Sequence, residues 1–124
     1  MNRSKAAHLV SNFVREVRKQ HVGKGPEHIT TRFLDAWVIC ELKGNLTTVE
    51  KFAVHTEEGK RMVRELRTTY IKKVYEDEET KSEIEQIVGA KLITLLCDFD
   101  VEHDLALTVF VFDRPIGLDE SADI

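Results

Sequence analysis

The chain has 124 residues, of which 42% are hydrophobic and 32% charged, and carries a formal net charge of −4. That size points to one domain with a limited core, able to bury about two-thirds of the surface its unfolded chain exposes. The composition argues against disorder, the acidic balance against DNA binding, and the lack of any run near ~20 apolar residues against direct membrane insertion.

From Ser4 to about His21, Ala6, Val10, Phe13, Val14 and Val17 recur at helical spacing while Arg15, Arg18 and Lys19 fall mostly elsewhere on the wheel. This predicts an amphipathic helix capped by Ser4, with no apolar signal-peptide core, and with Gly23 as the left-handed residue at its end. Gly23-Lys24-Gly25-Pro26 then halts regular structure. His28 to Leu34 alternates as a strand, with Ile29, Thr31 and Phe33 on one side; Asp35-Ala36 is a tight turn, and Trp37 to Lys43 returns as the second arm of a hairpin.

Thr47-Thr48-Val49-Glu50 matches a capping box, in which hydroxyl and carboxylate satisfy each other's free backbone N–H groups. Phe52, Val63 and Val74, with Val49, Leu66 and Tyr70, extend one stripe and predict one long helix to about Tyr75, bent near His55 to Gly59. Thr80-x-x-Glu83 or Ser82-x-x-Glu85 starts a short helix that closes at Gly89.

Gly89 to Asp113 is a second hairpin around the turn Val101-Glu102-His103-Asp104. Its first arm sets Ile93, Leu95, Cys97 and Phe99 against Leu92, Thr94, Leu96 and Asp98; its second sets Leu105, Leu107, Val109 and Val111 against Ala106, Thr108, Phe110 and Phe112. Both arms are apolar on both faces, which suits the middle of a sheet covered twice. A chain this short has few helices for that cover, so a second copy is expected to supply it as a homodimer. The order α-β-β-α-α-β-β gives an α+β fold: a four-stranded antiparallel sheet of two β-hairpins, three helices packed on one face, and the other face free for a partner. Residues 1–113 form the domain and 114–124 an acidic C-terminal tail.

Three groups of residues carry possible chemistry. Gly23, Lys24 and Gly25, with His21 and His28 nearby, could hold a phosphate, nucleotide or bicarbonate through backbone N–H groups and a lysine, although this loop leads into a strand and lacks P-loop spacing. Asp98, Asp100, His103 and Asp104, with Glu102, could gather a metal ion at the second hairpin turn and support a metal-dependent enzyme. A solvated acidic turn explains the same residues without an ion. Cys40 and Cys97 could meet across neighbouring strands, but no CxxC spacing or pKa-lowering neighbour is evident; buried thiols in a reducing cytoplasm are the simpler reading. Lys60, Arg61, Arg64, Arg67, Lys72 and Lys73 read as the solvated face of the long helix. No catalytic constellation is legible and no cofactor is called for.

His21 to Pro26, Leu46 to Lys51, Gly89-Ala90-Lys91, and Asp98-Phe99-Asp100 followed by Val109 to Phe112 together resemble the MpsC-like family of small bacterial domains of unknown function, in order and spacing. The resemblance runs over nearly the whole chain and points to a Bacillus-type member. It implies association with a cation-translocating, membrane-potential-generating system whose membrane components resemble inorganic-carbon uptake complexes, and hence a cytoplasmic accessory or regulatory role at a membrane transport complex. It assigns no catalytic residues.

Overall fold

A computed structural model describes residues 2–117. Its elements are α1 (Arg3–Val22), β1 (His28–Leu34), β2 (Trp37–Lys43), α2 (Thr48–Ala53), α3 (Glu57–Glu65), a π-helical turn (Leu66–Tyr70), α4 (Ile71–Glu76), α5 (Glu78–Val88), β3 (Leu92–Asp100) and β4 (Leu105–Phe112). The strands form one antiparallel sheet in the order β1-β2-β4-β3, so the fold is α+β.

Helix α1 starts earlier than expected because Asn2, not Ser4, is its cap: the Asn2 side chain accepts from the Lys5 amide at 2.8 Å. It ends at Gly23, whose φ of 92° is the left-handed conformation that glycine adopts without Cβ strain. Val10, Phe13, Val14 and Val17 pack toward the sheet as their spacing requires, and Arg18 is buried with them rather than lying on the solvated side.

The expected long helix is broken. Thr56 begins α3 afresh by accepting from the Gly59 amide at 2.9 Å, and a Cβ on Gly59 would overlap the Ala53 carbonyl oxygen, so the chain folds back too tightly for a mere bend. A second interruption follows at the π-helical turn, where the Thr68 hydroxyl donates to the Arg64 carbonyl at 2.9 Å and competes with the backbone ladder. These two breaks reset the helical phase. Val63 and Val74 remain buried, whereas Val49, Phe52, Leu66 and Tyr70, expected on the same stripe, stand exposed.

Only one strand of the second hairpin is central. β4 lies between β2 and β3, while β3 is an edge strand, with a bulge between Leu92 and Thr94. The bulge shifts the facing of the first arm: Leu92 joins Leu95, Cys97 and Phe99 on the helix side, and Ile93 is turned outward. Val38, Cys40 and Leu42 of β2 and Ala106, Thr108, Phe110 and Phe112 of β4 line the same covered face. The core closes over Phe110, on which the Tyr75 ring stands edge-on at 5.0 Å, with Phe13 at 6.0 Å from Tyr75.

Among the described residues no helix covers the opposite sheet face. Leu34, Leu96, Trp37 and Leu107 there are 57%, 56%, 44% and 43% exposed, far above the values of a core. The expected tail begins at Arg114, whose guanidinium donates to the Gly89 carbonyl, and the Ile116 amide donates to the Asp35 carbonyl. Residues 118–124 of that tail lie outside the described residues.

Candidate functional site

The polar interactions of the fold converge on the segment that leaves β2 and starts α2. The capping box forms as its spacing requires: the Glu50 amide donates to the Thr47 hydroxyl at 3.2 Å, and the Thr47 amide donates to Glu50 Oε1 at 2.9 Å. That bond directs the Glu50 carboxylate inward, where Arg67 meets it with two parallel bonds, Nε to Oε2 at 2.8 Å and Nη2 to Oε1 at 2.6 Å. Nη2 also donates to the Asn45 carbonyl at 2.6 Å, and the guanidinium sits 5.7 Å from the centre of the Phe99 ring.

This ion pair is secluded: the Arg67 and Glu50 side chains are 4% and 12% exposed. Burial pushes the Glu50 carboxyl up, but the hydrogen bonds from Arg67 and the Thr47 amide outweigh it and hold the group below its ordinary range. A cleft of about 280 Å³ opens beside the pair, between His21 and Val22 of α1, Thr47 and Val49 at the start of α2, and Leu66 and Tyr70 of the π-helical turn. The cleft is chiefly apolar, and its buried cation is already neutralised by Glu50. It suits an apolar side chain or a small uncharged group better than a free anion.

Residues of both loops singled out in the sequence tie down this same segment. Lys24 Nζ donates to the Leu46 carbonyl at 3.1 Å, and the Asp104 carboxylate accepts from the Asn45 amide at 2.8 Å and the Leu46 amide at 3.2 Å. Asn45, itself buried, donates from Nδ2 to the Leu42 carbonyl at 2.9 Å. Gly25 approaches Arg15 so closely that a Cβ would lie 3.0 Å from Arg15 Cγ, and Gly23 supplies the turn. His21 borders the Arg67 cleft, while His28 stands exposed at the start of β1.

At the acidic turn the carboxylates are directed to separate partners. Asp98 meets Arg64 Nη2 at 2.8 Å, Asp100 meets His103 Nδ1 at 2.9 Å, and Asp104 faces the two amides. Glu102 meets Lys60 at 2.7 Å. The hydrogen bonds from His103 hold the Asp100 carboxyl below its ordinary range. Among the described residues no group of three or more His, Cys, Asp and Glu is placed to hold a metal ion.

Cys40 and Cys97 are not on neighbouring strands: each is registered against Thr108 of β4, one on either side. Two strand spacings, about 9.5 Å, therefore separate them, too far for a disulfide. Burial pushes the Cys40 thiol up to about 11, and burial also raises Cys97, whose Sγ donates to the Thr68 carbonyl at 3.3 Å. Arg18 reaches into this region and donates to the Thr108 hydroxyl at 3.2 Å, without a carboxylate partner among the described residues.

Arg67 and Arg18 are the residues that reading by charge assigned to solvent. Position offered the better signal: Arg67 lies four residues from both Val63 and Ile71, and Arg18 four from Val14, each inside a buried apolar stripe. A basic residue in phase with a core stripe is either snorkelling or paired, and the committed carboxylate of a capping box is a natural partner.

Comparisons with known proteins agree with the family suggested by the motifs. Residues 2–114 match the family model described as "Na+-translocating membrane potential-generating system (MpsC)". A relative in Bacillus subtilis (strain 168), the uncharacterized protein YrhF, is 40% identical over 119 residues, covering 96% of this chain and 97% of the relative. No solved structure matches. Among the described residues no helix is long and apolar enough to cross a membrane. The chain belongs to the MpsC family.

Proposed function

We propose that the protein is a non-enzymatic accessory or regulatory module that works in the cytoplasm, self-associates, and serves a membrane system translocating cations or inorganic carbon. The observation that carries this reading is the apolar surface left uncovered on a chain whose family description names a Na+-translocating system. One such surface is the sheet face; another surrounds the Arg67 cleft, where Val49, Leu66 and Tyr70 are exposed. Contiguous apolar surface of this kind marks places where proteins meet.

The polar residues support the same reading. Arg67, Glu50, Asn45, Asp104 and Lys24 bond one another or the backbone, so they brace the fold. The test is capture and function together. Tagged protein incubated with membranes of a bacterium carrying a family member is expected to retain an integral subunit of a Na+-translocating complex. Vesicles prepared without the protein are expected to lose part of their Na+-dependent membrane potential and regain it on its addition. Membranes that yield no transporter subunit, together with an unchanged potential, would overturn the accessory role.

A further inference from the structure

We infer that two copies of this chain stack their open sheet faces about a two-fold axis parallel to the strands, placing β1 of each copy over β3 of the other. The inference rests on the self-association in the proposed function and specifies its geometry. Strand register fixes which residues lie abreast on the open face. Crossing β1, β2, β4 and β3, the rows run Leu34-Trp37-Val111-Thr94, then Arg32-Ile39-Val109-Leu96, then Thr30-Glu41-Leu107-Asp98, and last His28-Lys43-Leu105-Asp100.

Charge on this grid is segregated by strand. The open side of β1 carries Arg32 and His28 and no acid, and that of β3 carries Asp98 and Asp100 and no base. The central strands carry the apolar rows, with Glu41 and Lys43 neutralising each other at 3.6 Å. One sheet edge thus carries basic residues and the other acidic ones, where Asp98 also meets Arg64 and Asp100 also meets His103 within the chain.

Two in-plane rotations bring such a face onto a copy of itself. A two-fold across the strands keeps each strand over its own counterpart and reverses the rows, so Trp37 would meet Lys43, Ile39 would meet Glu41, and the basic β1 would face the basic β1. A two-fold along the strands keeps the rows and exchanges the edges. Trp37 then meets Val111, Ile39 meets Val109, and His28 meets Asp100. The roughly 30° crossing of stacked sheets displaces edge positions by about 4 Å, less than one row, which leaves Asp98 within the span of an arginine side chain at Arg32. Both rotations set two apolar pairs together, Val111 with Leu105 and Val109 with Leu107 in the first, and both leave Glu41 and Lys43 over apolar residues. Only the second lays the edge of Arg32 and His28 over the edge of Asp98 and Asp100, and that charge complementarity points to a second copy as the occupant.

Four strands about 4.8 Å apart and seven residues of about 3.3 Å give a flat footprint of roughly 440 Å². That is about half of the roughly 800 Å² per partner of stable interfaces, so the apolar central rows and the edge charges must carry the association.

The experiment is sedimentation velocity on the full chain at micromolar concentration, with charge reversals at opposite edges. The wild type is expected to be dimeric, and Arg32→Glu and Asp98→Lys are each expected to weaken the dimer about ten-fold or more. An equimolar mixture of the two variants is expected to dimerise again, because one contact is then wild-type and the other reversed in both partners. Circular dichroism confirms that each variant is folded, and Arg64→Ala reports the loss of the Asp98 to Arg64 pair by itself. A wild type that stays monomeric at 100 µM, on the order of the weakest useful association, would overturn both this inference and the self-association beneath it. A dimer indifferent to the reversals, or not restored in the mixture, would overturn the arrangement and leave self-association standing. A restored dimer with no transporter subunit captured from membranes would support the arrangement and count only against the accessory role.

Discussion

The pair of Glu50 and Arg67 offers the sharpest quantitative test of how the fold is held together. Both side chains are nearly sealed, and the guanidinium has three hydrogen bonds, two to the carboxylate and one to the Asn45 carbonyl. Glu50→Gln keeps the shape but leaves Arg67 charged and uncompensated, which costs about 3–5 kcal/mol for a buried pair. Arg67→Met leaves the carboxylate with the Thr47 amide and strips the Asn45 carbonyl, at a cost of about 3 kcal/mol. The double variant removes both charges together and is expected to cost little more than either single one, giving a coupling energy of about 2–3 kcal/mol. Urea unfolding at pH 7, with the slope checked for constancy across the four proteins, measures it.

The pH dependence has a definite sign. Because the folded-state pKa of Glu50 lies below the ordinary value of 4.5, its stabilisation is complete above that value and is lost as the pH falls through the folded pKa. The gap between wild type and Glu50→Gln should therefore narrow in acid. A coupling under about 0.5 kcal/mol, as for an exposed pair, or a gap that widens on acidification, would refute the reasoning.

Three further outcomes follow from individual contacts. Asp104→Ala leaves the Asn45 and Leu46 amides without their acceptor and should cost about 2–4 kcal/mol in thermal or urea unfolding, while EDTA leaves the wild-type melting temperature unchanged. Gly59→Ala places a methyl against the Ala53 carbonyl and should cost about 1–3 kcal/mol, although alanine is the better helix former; a stabilised variant would contradict the tight return between α2 and α3. Cys40, buried and with its thiol raised to about 11, should resist iodoacetamide at pH 8 in the native protein and react fully in urea, as read by peptide mass spectrometry.

Local chemistry was readable wherever a short stretch carried its own geometry. The capping box Thr47 to Glu50, the left-handed glycine at Gly23, the turn at Asp35 and the pairing of both hairpins depend on neighbours within a few residues, and each stands as its sequence indicates, save for the bulge between Leu92 and Thr94 in the second hairpin. The long helix failed for a different reason. A stripe of apolar residues eleven apart survives in projection even when the backbone is cut, so periodicity could not register the fold-back at Gly59 or the extra residue of the π-helical turn.

By itself, the sequence determined the four strands, the first and last helices to within a few residues, the parity of most strands and the excess of apolar surface, because these follow from side-chain size, branching and alternation along the chain. Tertiary structure alone decided that β3 is an edge, that Arg18 and Arg67 lie inside, and that Lys24 and Asp104 reach the same two residues from distant loops. Those outcomes depend on which segments meet across the fold, and a buried charge is settled by the partner it finds there rather than by the residues beside it in the chain.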